Sequence, residues 1–320
     1  MVKRASHAAE VPLVVVAGPT ASGKTALALR LAEEFDGEIV SCDSVAVYRE
    51  MEIGTAKPTL EERELIPHHM IDIARPDEPV TAGDYSRQAR ESLRGIVERG
   101  RLPIVAGGTG LYLRALIDGL FPAPPQKEGR RERLHNIAAK RGSTYLHRML
   151  TRLDRAAAES IHVNDVPKVI RAVEVSLAAN QPLTEQWQKG RDKLTGYRIL
   201  RLGLNPPRPR LYERINQRAA AMFDRGLIEE TERLVERYGD ECRALGSLGY
   251  REASAVVRGE LTREEAVVQA QQGHRNYAKR QLTWFRRERE MHWLNGIGGD
   301  EEILTEACRL VSAHLKTAHA

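Results

Sequence analysis

Cysteine is scarce. Cys42, Cys242 and Cys308 are the only three in 320 residues, and no two of them form a C-x-x-C pair. That excludes a zinc ribbon, a redox dithiol and a disulfide framework, and suits reduced thiols in the cytosol. Long apolar runs are also missing. None approaches the roughly 20 residues needed to cross a bilayer, so no membrane association is expected. The opening Met1-Val2-Lys3-Arg4 ahead of the apolar Val11–Ala17 superficially mimics a signal peptide. The apolar segment is short and feeds directly into a glycine-rich loop, so it reads as a first strand. There is no internal repeat and no low-complexity tract. What remains is a globular composition, 42% hydrophobic and 29% charged, with room for one large domain or two smaller ones. A formal charge of +5 suits a polyanionic partner, although where the charges lie matters more than their sum.

The most informative stretch is Gly18-Pro19-Thr20-Ala21-Ser22-Gly23-Lys24-Thr25. It fits G-x-x-x-x-G-K-[ST], a loop that cradles phosphates, with Lys24 as a point charge and Thr25 as a hydroxyl for magnesium. Its surroundings are the required ones. A β-branched strand precedes it, and residues 26–34, apolar at helical spacing, follow. Strand, turn and helix N-terminus together aim backbone N–H groups at an anion. A phosphate or diphosphate is expected here.

Residues 37–41 read as a second strand ending at Cys42-Asp43-Ser44. Ligands of open α/β sheets sit beyond the carboxyl ends of strands, which sets Asp43 beside the phosphate loop. There it suits a water-held magnesium, a general base, or simply a helix N-cap. The adjacent His68 and His69 lack metal-ligand spacing. Residues 81–99 read as an amphipathic helix capped by Thr81 or Asp84, and residues 102–106 as another buried strand. That strand ends in Gly107-Gly108-Thr109, without the acidic residue that commonly holds the metal of phosphate-loop ATPases and GTPases. The absence weakens a motor-ATPase reading and leaves Asp43 and Thr109 near the phosphates.

Residues 119–125, with three prolines, break the pattern, and residues 126–196 are helical in character. Between Lys127 and Arg155 nine Lys/Arg face three acids, which suits either a solvated face or contact with phosphate backbone. Asp165 caps a new helix with Pro167 in its first turn. Strand character returns at residues 197–204. A helix from Arg210 onward carries Arg214 and Arg218 at i and i+4, on one face. The expected domains are therefore residues 1–121 with 197–320, a phosphate-loop NTPase-like α/β parallel-sheet core, and residues 122–196, an inserted all-helical domain. Later, five basic residues between Lys279 and Arg289 interleave with Trp284 and Phe285. That composition suits nucleic acid, or a core helix with an arginine-rich outer face. Residues 293–294 read as a last strand before a terminal helix.

Several motifs occur together in one order: the phosphate loop, Asp43-Ser44-Val45-Ala46-Val47-Tyr48, Gly54-Thr55-Ala56-Lys57-Pro58, Pro67-His68-His69-Met70-Ile71-Asp72, Gly107-Gly108-Thr109-Gly110-Leu111-Tyr112, Leu248-Gly249-Tyr250-Arg251 and Lys279-Arg280-Gln281-Leu282-Thr283-Trp284. Over residues 11–295 the chain closely resembles the bacterial tRNA dimethylallyltransferases, also called tRNA isopentenyltransferases. The resemblance implies transfer of a dimethylallyl group from dimethylallyl diphosphate to N6 of the adenosine just 3′ of the anticodon, in tRNAs reading codons that start with U. It implies a helical domain that helps hold the anticodon stem-loop. It also implies that Asp43 accepts the amine proton while Thr109 orients Asp43 or the amine.

The chemistry suits these residues. Negative charge builds on the leaving diphosphate, where the N–H groups of residues 21–25, Lys24, magnesium near Thr25 with water, and Arg218 meet it. The adenosine is extruded into a channel. Contacts to tRNA are expected from residues 43–48, from Pro167, Lys168 and Arg171, from Gly249, Tyr250 and Arg251, and from Lys279, Arg280, Gln281, Trp284 and Arg286. A monomer is sufficient. Two other readings stand beside this one. An ATP-dependent small-molecule or nucleoside kinase follows from the phosphate loop alone, and a catalytically silent tRNA-binding protein has no use for Lys24, Thr25 and Asp43.

Overall fold

The computed structural model describes residues 10–121, 129–188 and 190–316. Met1 to Arg4, the three prolines at 122, 124 and 125, Lys127 and Glu128 lie outside the described residues. Strand β1 (Val11–Ala17) is buried from Leu13 onward on both faces. A continuous β-branched run is what a central parallel strand requires, because its neighbours and both covering layers are apolar. Helix α1 (Lys24–Glu34) follows the loop, then β2 (Gly37–Cys42), a short α2 (Leu60–Leu65) and a two-residue edge strand β3 (His68–His69). Helix α3 (Ala82–Glu98) begins with a capping box. The Thr81 hydroxyl accepts the Asp84 N–H at 3.1 Å and the Asp84 carboxylate accepts the Thr81 N–H at 3.3 Å, so Thr81 is the cap. Strand β4 (Leu102–Gly107) and α4 (Gly110–Ile117) complete this half.

Among the described residues five helices come next: α5 (Arg130–Arg141), α6 (Ser143–Leu153), α7 (Arg155–Ser160), α8 (Val166–Ala179) and α9 (Leu183–Gln188). The chain then returns through β5 (Tyr197–Leu204), α10 (Arg208–Asp224), α11 (Leu227–Tyr238), α12 (Tyr250–Val257), α13 (Arg263–Phe285), β6 (Met291–Leu294) and α14 (Glu301–Lys316). Helix α10 starts two residues earlier than its sequence suggests, because Pro207 is its N-cap and Pro209 sits in the first turn, where a missing N–H is harmless. Strand β6 likewise begins at Met291 rather than at Trp293.

The chain divides into two compact units, Met1–Leu116 with Leu194–Ala320, and Ile117–Lys193. Among the described residues of the first, six parallel strands lie in the order β3-β2-β4-β1-β5-β6. Leu27 and Leu31 of α1, Leu200 and Leu202 of β5, and Ala307 and Val311 of α14 pack with Val14 and Val16 of β1 into one core cluster. Register places the site. Cys42 is level with Gly107, and Ala17 is level with both Gly107 and Gly203. The carboxyl ends of β2, β4, β1 and β5 therefore form one row, where ligands of such sheets bind. The second unit has its own core of Leu146 and Leu150 from α6, Val169, Ile170 and Val173 from α8, Ala157 and Leu183.

Candidate active site

Above that row lies a cavity of about 720 Å³, partly open to solvent. Thr20, Lys24 and Thr25 line it from the phosphate loop, Asp43 from the end of β2, Arg218 from α10 and Tyr277 from α13. The N-cap of α1 is Gly23 at φ 88°, and no side chain caps the helix. Its first N–H groups are thus left for an anion.

The cationic end is crowded. Lys24 Nζ donates to the Pro19 carbonyl at 2.6 Å, and Arg218 donates to the Thr20 hydroxyl at 3.3 Å. Arg214, one turn back on α10, donates to the Ala21 carbonyl at 3.1 Å. Burial, and then the neighbouring charge of Arg218, pull the Lys24 ammonium down to about 8, with Asp43 opposing. Burial also lowers Arg218, again against Asp43, and its Nε is buried without a partner. Two cations whose charge is disfavoured by burial, beside a loop of open N–H groups, suit a ligand with several negative charges.

Asp43 lines the same cavity, and its charge favours the charged form of both cations. One carboxylate oxygen accepts the Val45 N–H at 2.8 Å and the Ala46 N–H at 3.3 Å. The carboxylate closes a turn over residues 44–47 and not the helix that an N-cap reading anticipates, and the turn fixes the carboxyl group. Thr109 accepts the Ser44 N–H at 3.0 Å and donates to the Ser44 hydroxyl at 3.3 Å. Its bonds reach the backbone beside Asp43, so it holds Asp43 through the main chain and not through the carboxylate. Tyr277 and Gln281, one turn apart on α13, also line the cavity. Burial, then the charge of Asp43, push the Tyr277 phenol up to about 12, with a bond to Thr109 opposing.

Gln281 has a job that its sequence context did not reveal. Its carbonyl accepts the Thr20 N–H at 2.8 Å and its amide donates to the Gly108 carbonyl at 2.9 Å. One buried carboxamide thus joins the phosphate loop to the end of β4. The approach is close enough that a Cβ on Gly108 would lie 2.2 Å from the Gln281 nitrogen, and one on Gly110 would lie 2.3 Å from the Trp284 ring. Glycine is required by the docking of α13 at both positions.

This docking revises several expected RNA contacts. Phe285 is buried, and Trp284 lies against Gly110 with the Arg114 guanidinium 4.3 Å over its ring. The aromatics face inward while Lys279, Arg280, Arg286 and Arg287 are exposed, so α13 is a core helix with a basic outer face. The Gln281 side chain is committed to the two loops. Val47 and Tyr250 are fully buried, and Ala46, Tyr48 and Gly249 nearly so. Their burial leaves little side-chain surface for RNA, although Ala46 still borders the cavity. Arg251 is exposed and paired with Glu252. In the helical unit Pro167 opens α8, and Lys168 pairs with Asp165. Arg171 and Arg131 donate at 2.9 Å and 2.8 Å to one buried oxygen of Glu174, so part of the basic face is neutralised internally.

Among the described residues no group of three or more His, Cys, Asp or Glu could hold a metal ion. The donors at hand are hard oxygens, the exposed Thr25 hydroxyl and the Asp43 carboxylate. Such a set fits magnesium, which keeps several waters and is carried largely by substrate phosphates. No helix among the described residues is long and apolar enough to cross a membrane.

Comparison with known proteins places this geometry. The family model described as IPP transferase matches residues 46–288. A tRNA dimethylallyltransferase of Koribacter versatilis is 62% identical over 93% of this chain and 97% of its own length. One of Solibacter usitatus is 52% identical over 95% and 99%. The crystal structure of the full-length tRNA isopentenylpyrophosphate transferase of Bacillus halodurans superposes with a TM-score of 0.71 at 36% identity, covering 96% of this chain and 98% of that one.

Proposed function

The chain belongs to the tRNA dimethylallyltransferase (IPP transferase) family, and from that membership we propose how its cavity carries out prenyl transfer to tRNA. The donor is dimethylallyl diphosphate. The acceptor is N6 of the adenosine 3′-adjacent to the anticodon, in tRNAs that read U-starting codons. One observation carries this reading: Lys24, Arg218 and the open N–H groups of the phosphate loop share a single solvent-open cavity with the carboxylate of Asp43. A diphosphate suits the first set of groups and an amine proton suits the second.

The N6 lone pair forms a bond to C1 of the donor as the C1–O bond breaks, and the electron pair leaves with the diphosphate. Adenine N6 is a poor nucleophile because its lone pair is delocalised into the ring, so stabilising the leaving group and removing the proton must both contribute. Lys24 and Arg218 meet the charge that grows on the bridging oxygen, in a site where burial strengthens each interaction. Asp43, held by the Val45 and Ala46 N–H groups and by Thr109 through Ser44, takes the proton that N6 loses. Magnesium at Thr25 and the diphosphate would add Lewis-acid stabilisation of the leaving group. A base stacked in a loop cannot reach such a cavity, so the adenosine is flipped out. The exposed cations of α13 suit the surrounding phosphates. One chain supplies every group, so a monomer suffices.

The test is nucleoside mass analysis after incubating unmodified tRNA with the protein, magnesium and dimethylallyl diphosphate, beside an ATP-only control. An adenosine next to the anticodon that is heavier by one five-carbon unit is the expected product. ATP consumption with a phosphorylated acceptor and no prenylated adenosine would overturn the reading in favour of a kinase.

A further inference from the structure

Glu230 is a buried carboxylate that the transfer reaction does not use. It lies on α11, 5% exposed, and no cation pairs with it among the described residues. Three donors satisfy it instead: the Glu52 N–H at 3.3 Å, the Ile53 N–H at 3.1 Å and the Tyr250 hydroxyl at 2.6 Å. Tyr250, itself fully buried, accepts the Gly54 N–H at 3.2 Å. Two side chains from α11 and α12 therefore hold three consecutive backbone N–H groups. The fit is tight, for a Cβ on Gly54 would lie 2.4 Å from the Tyr250 ring.

The next four residues, Thr55, Ala56, Lys57 and Pro58, form a wall of the cavity. Ala56 sits there at φ 47°, a left-handed conformation that a non-glycine residue keeps only when its surroundings enforce it. Lys57 anchors the far end of the wall. Its nearly buried ammonium donates to the Tyr48 carbonyl at 2.7 Å, to Glu52 at 2.8 Å and to Asp72 at 2.5 Å. An isolated buried carboxylate is an expensive way to gain stability, and its best-attested use is to fix one arrangement.

We propose that Glu230 and Tyr250 are positioning residues that hold this wall and thereby set the length of prenyl chain the cavity accepts. The inference rests on the donor assigned above. A prenyl tail has no polar group to recognise, so only the shape and stiffness of an apolar wall can distinguish five carbons from ten. Ala56 and Pro58 supply such a surface, and Ile71 also lines the cavity. A wall that yields loses that discrimination without touching the phosphate end.

The test compares dimethylallyl and geranyl diphosphates as donors to the same tRNA in the wild type, Tyr250→Phe and Glu230→Gln. Tyr250→Phe keeps the ring that fills the space and removes only the hydroxyl, so it carries the test should Glu230→Gln fail to fold. The expected result is a drop of about tenfold or more in the kcat/KM preference for the five-carbon donor, the size of effect one buried hydrogen bond commands. The Kd for inorganic diphosphate should stay within about twofold of the wild type, because the phosphate loop is untouched. An unchanged preference in a folded variant, whether both activities persist or fall together, would overturn the proposal. Absence of dimethylallyl transfer by the wild type would instead overturn the function on which it rests.

Discussion

Lys24 allows the phosphate site to be titrated directly. In the free protein its ammonium is drawn down from 10.5 to about 8, first by burial and then by Arg218. A bound diphosphate brings several negative charges against it and returns it toward its ordinary value. Binding must then take up protons wherever the free amine has lost its own. With a free-state value of about 8, about a tenth of the amines are neutral at pH 7, about half at pH 8 and about nine-tenths at pH 9, and uptake per diphosphate follows the same fractions. The sign is fixed by the raised value in the bound state. Below pH 8 the proton is already in place and affinity is flat. Above it affinity declines, approaching about tenfold per pH unit, until the bound-state value is reached. The ligand must be a diphosphate monoester, whose last ionisation at roughly pH 6 is complete in this window, because inorganic diphosphate loses its final proton inside it. Calorimetry of dimethylallyl diphosphate binding in the absence of tRNA at pH 7, 8 and 9, in two buffers of different protonation enthalpy and at constant magnesium, reads the uptake. Lys24→Met should abolish the buffer dependence. Equal heats in both buffers at pH 9 for the wild type would refute the placement of Lys24 against the diphosphate.

Asp43→Ala should lower single-turnover prenyl transfer by about 10²–10⁴-fold while tRNA affinity by filter binding stays within about threefold. Equal loss of both would remove Asp43 from the proton-accepting role. Gln281→Glu replaces the donor facing the Gly108 carbonyl with a second acceptor and adds negative charge beside the phosphate loop. It should weaken diphosphate binding by about 2–3 kcal/mol in calorimetry, and wild-type affinity would show that the bridge between the loops is dispensable. Lys279→Gln combined with Arg286→Gln should reduce the slope of log affinity for tRNA against log salt by up to about 1.4, from about 0.7 per contact to single-stranded phosphate. An unchanged slope would mark the outer face of α13 as merely solvated.

The phosphate loop and Asp43, which line the cavity, were legible because each belongs to a short local pattern. Eight contiguous residues specify the phosphate loop, and the rule that ligands gather at strand ends put Asp43 beside it before any register was known. The two-residue β3 escaped because it is too short to show a period. For Trp284 and Phe285 the signal was present but read by composition alone. Taken at helical spacing, Ala278, Gln281 and Phe285 fall on one face, which is the face that α13 buries. The supports were not legible at all. Gln281 meets Thr20 and Gly108 across 261 and 173 residues, and Glu230 meets Glu52 and Ile53 across 178 and 177. Separations of that size leave no local trace. A physical reason still ties the two sets together. Loops at the carboxyl ends of parallel strands leave backbone N–H and C=O groups that the sheet itself does not pair, and buried groups of this kind must find partners elsewhere. Helices α10, α11 and α13 provide them. Arg214 takes the Ala21 carbonyl, Glu230 takes the Glu52 and Ile53 N–H groups, and Gln281 takes both Thr20 and Gly108. The cavity is therefore as rigid as these long-range bonds, and a substitution in a helix far along the chain should change substrate selection as surely as one in the phosphate loop changes its affinity.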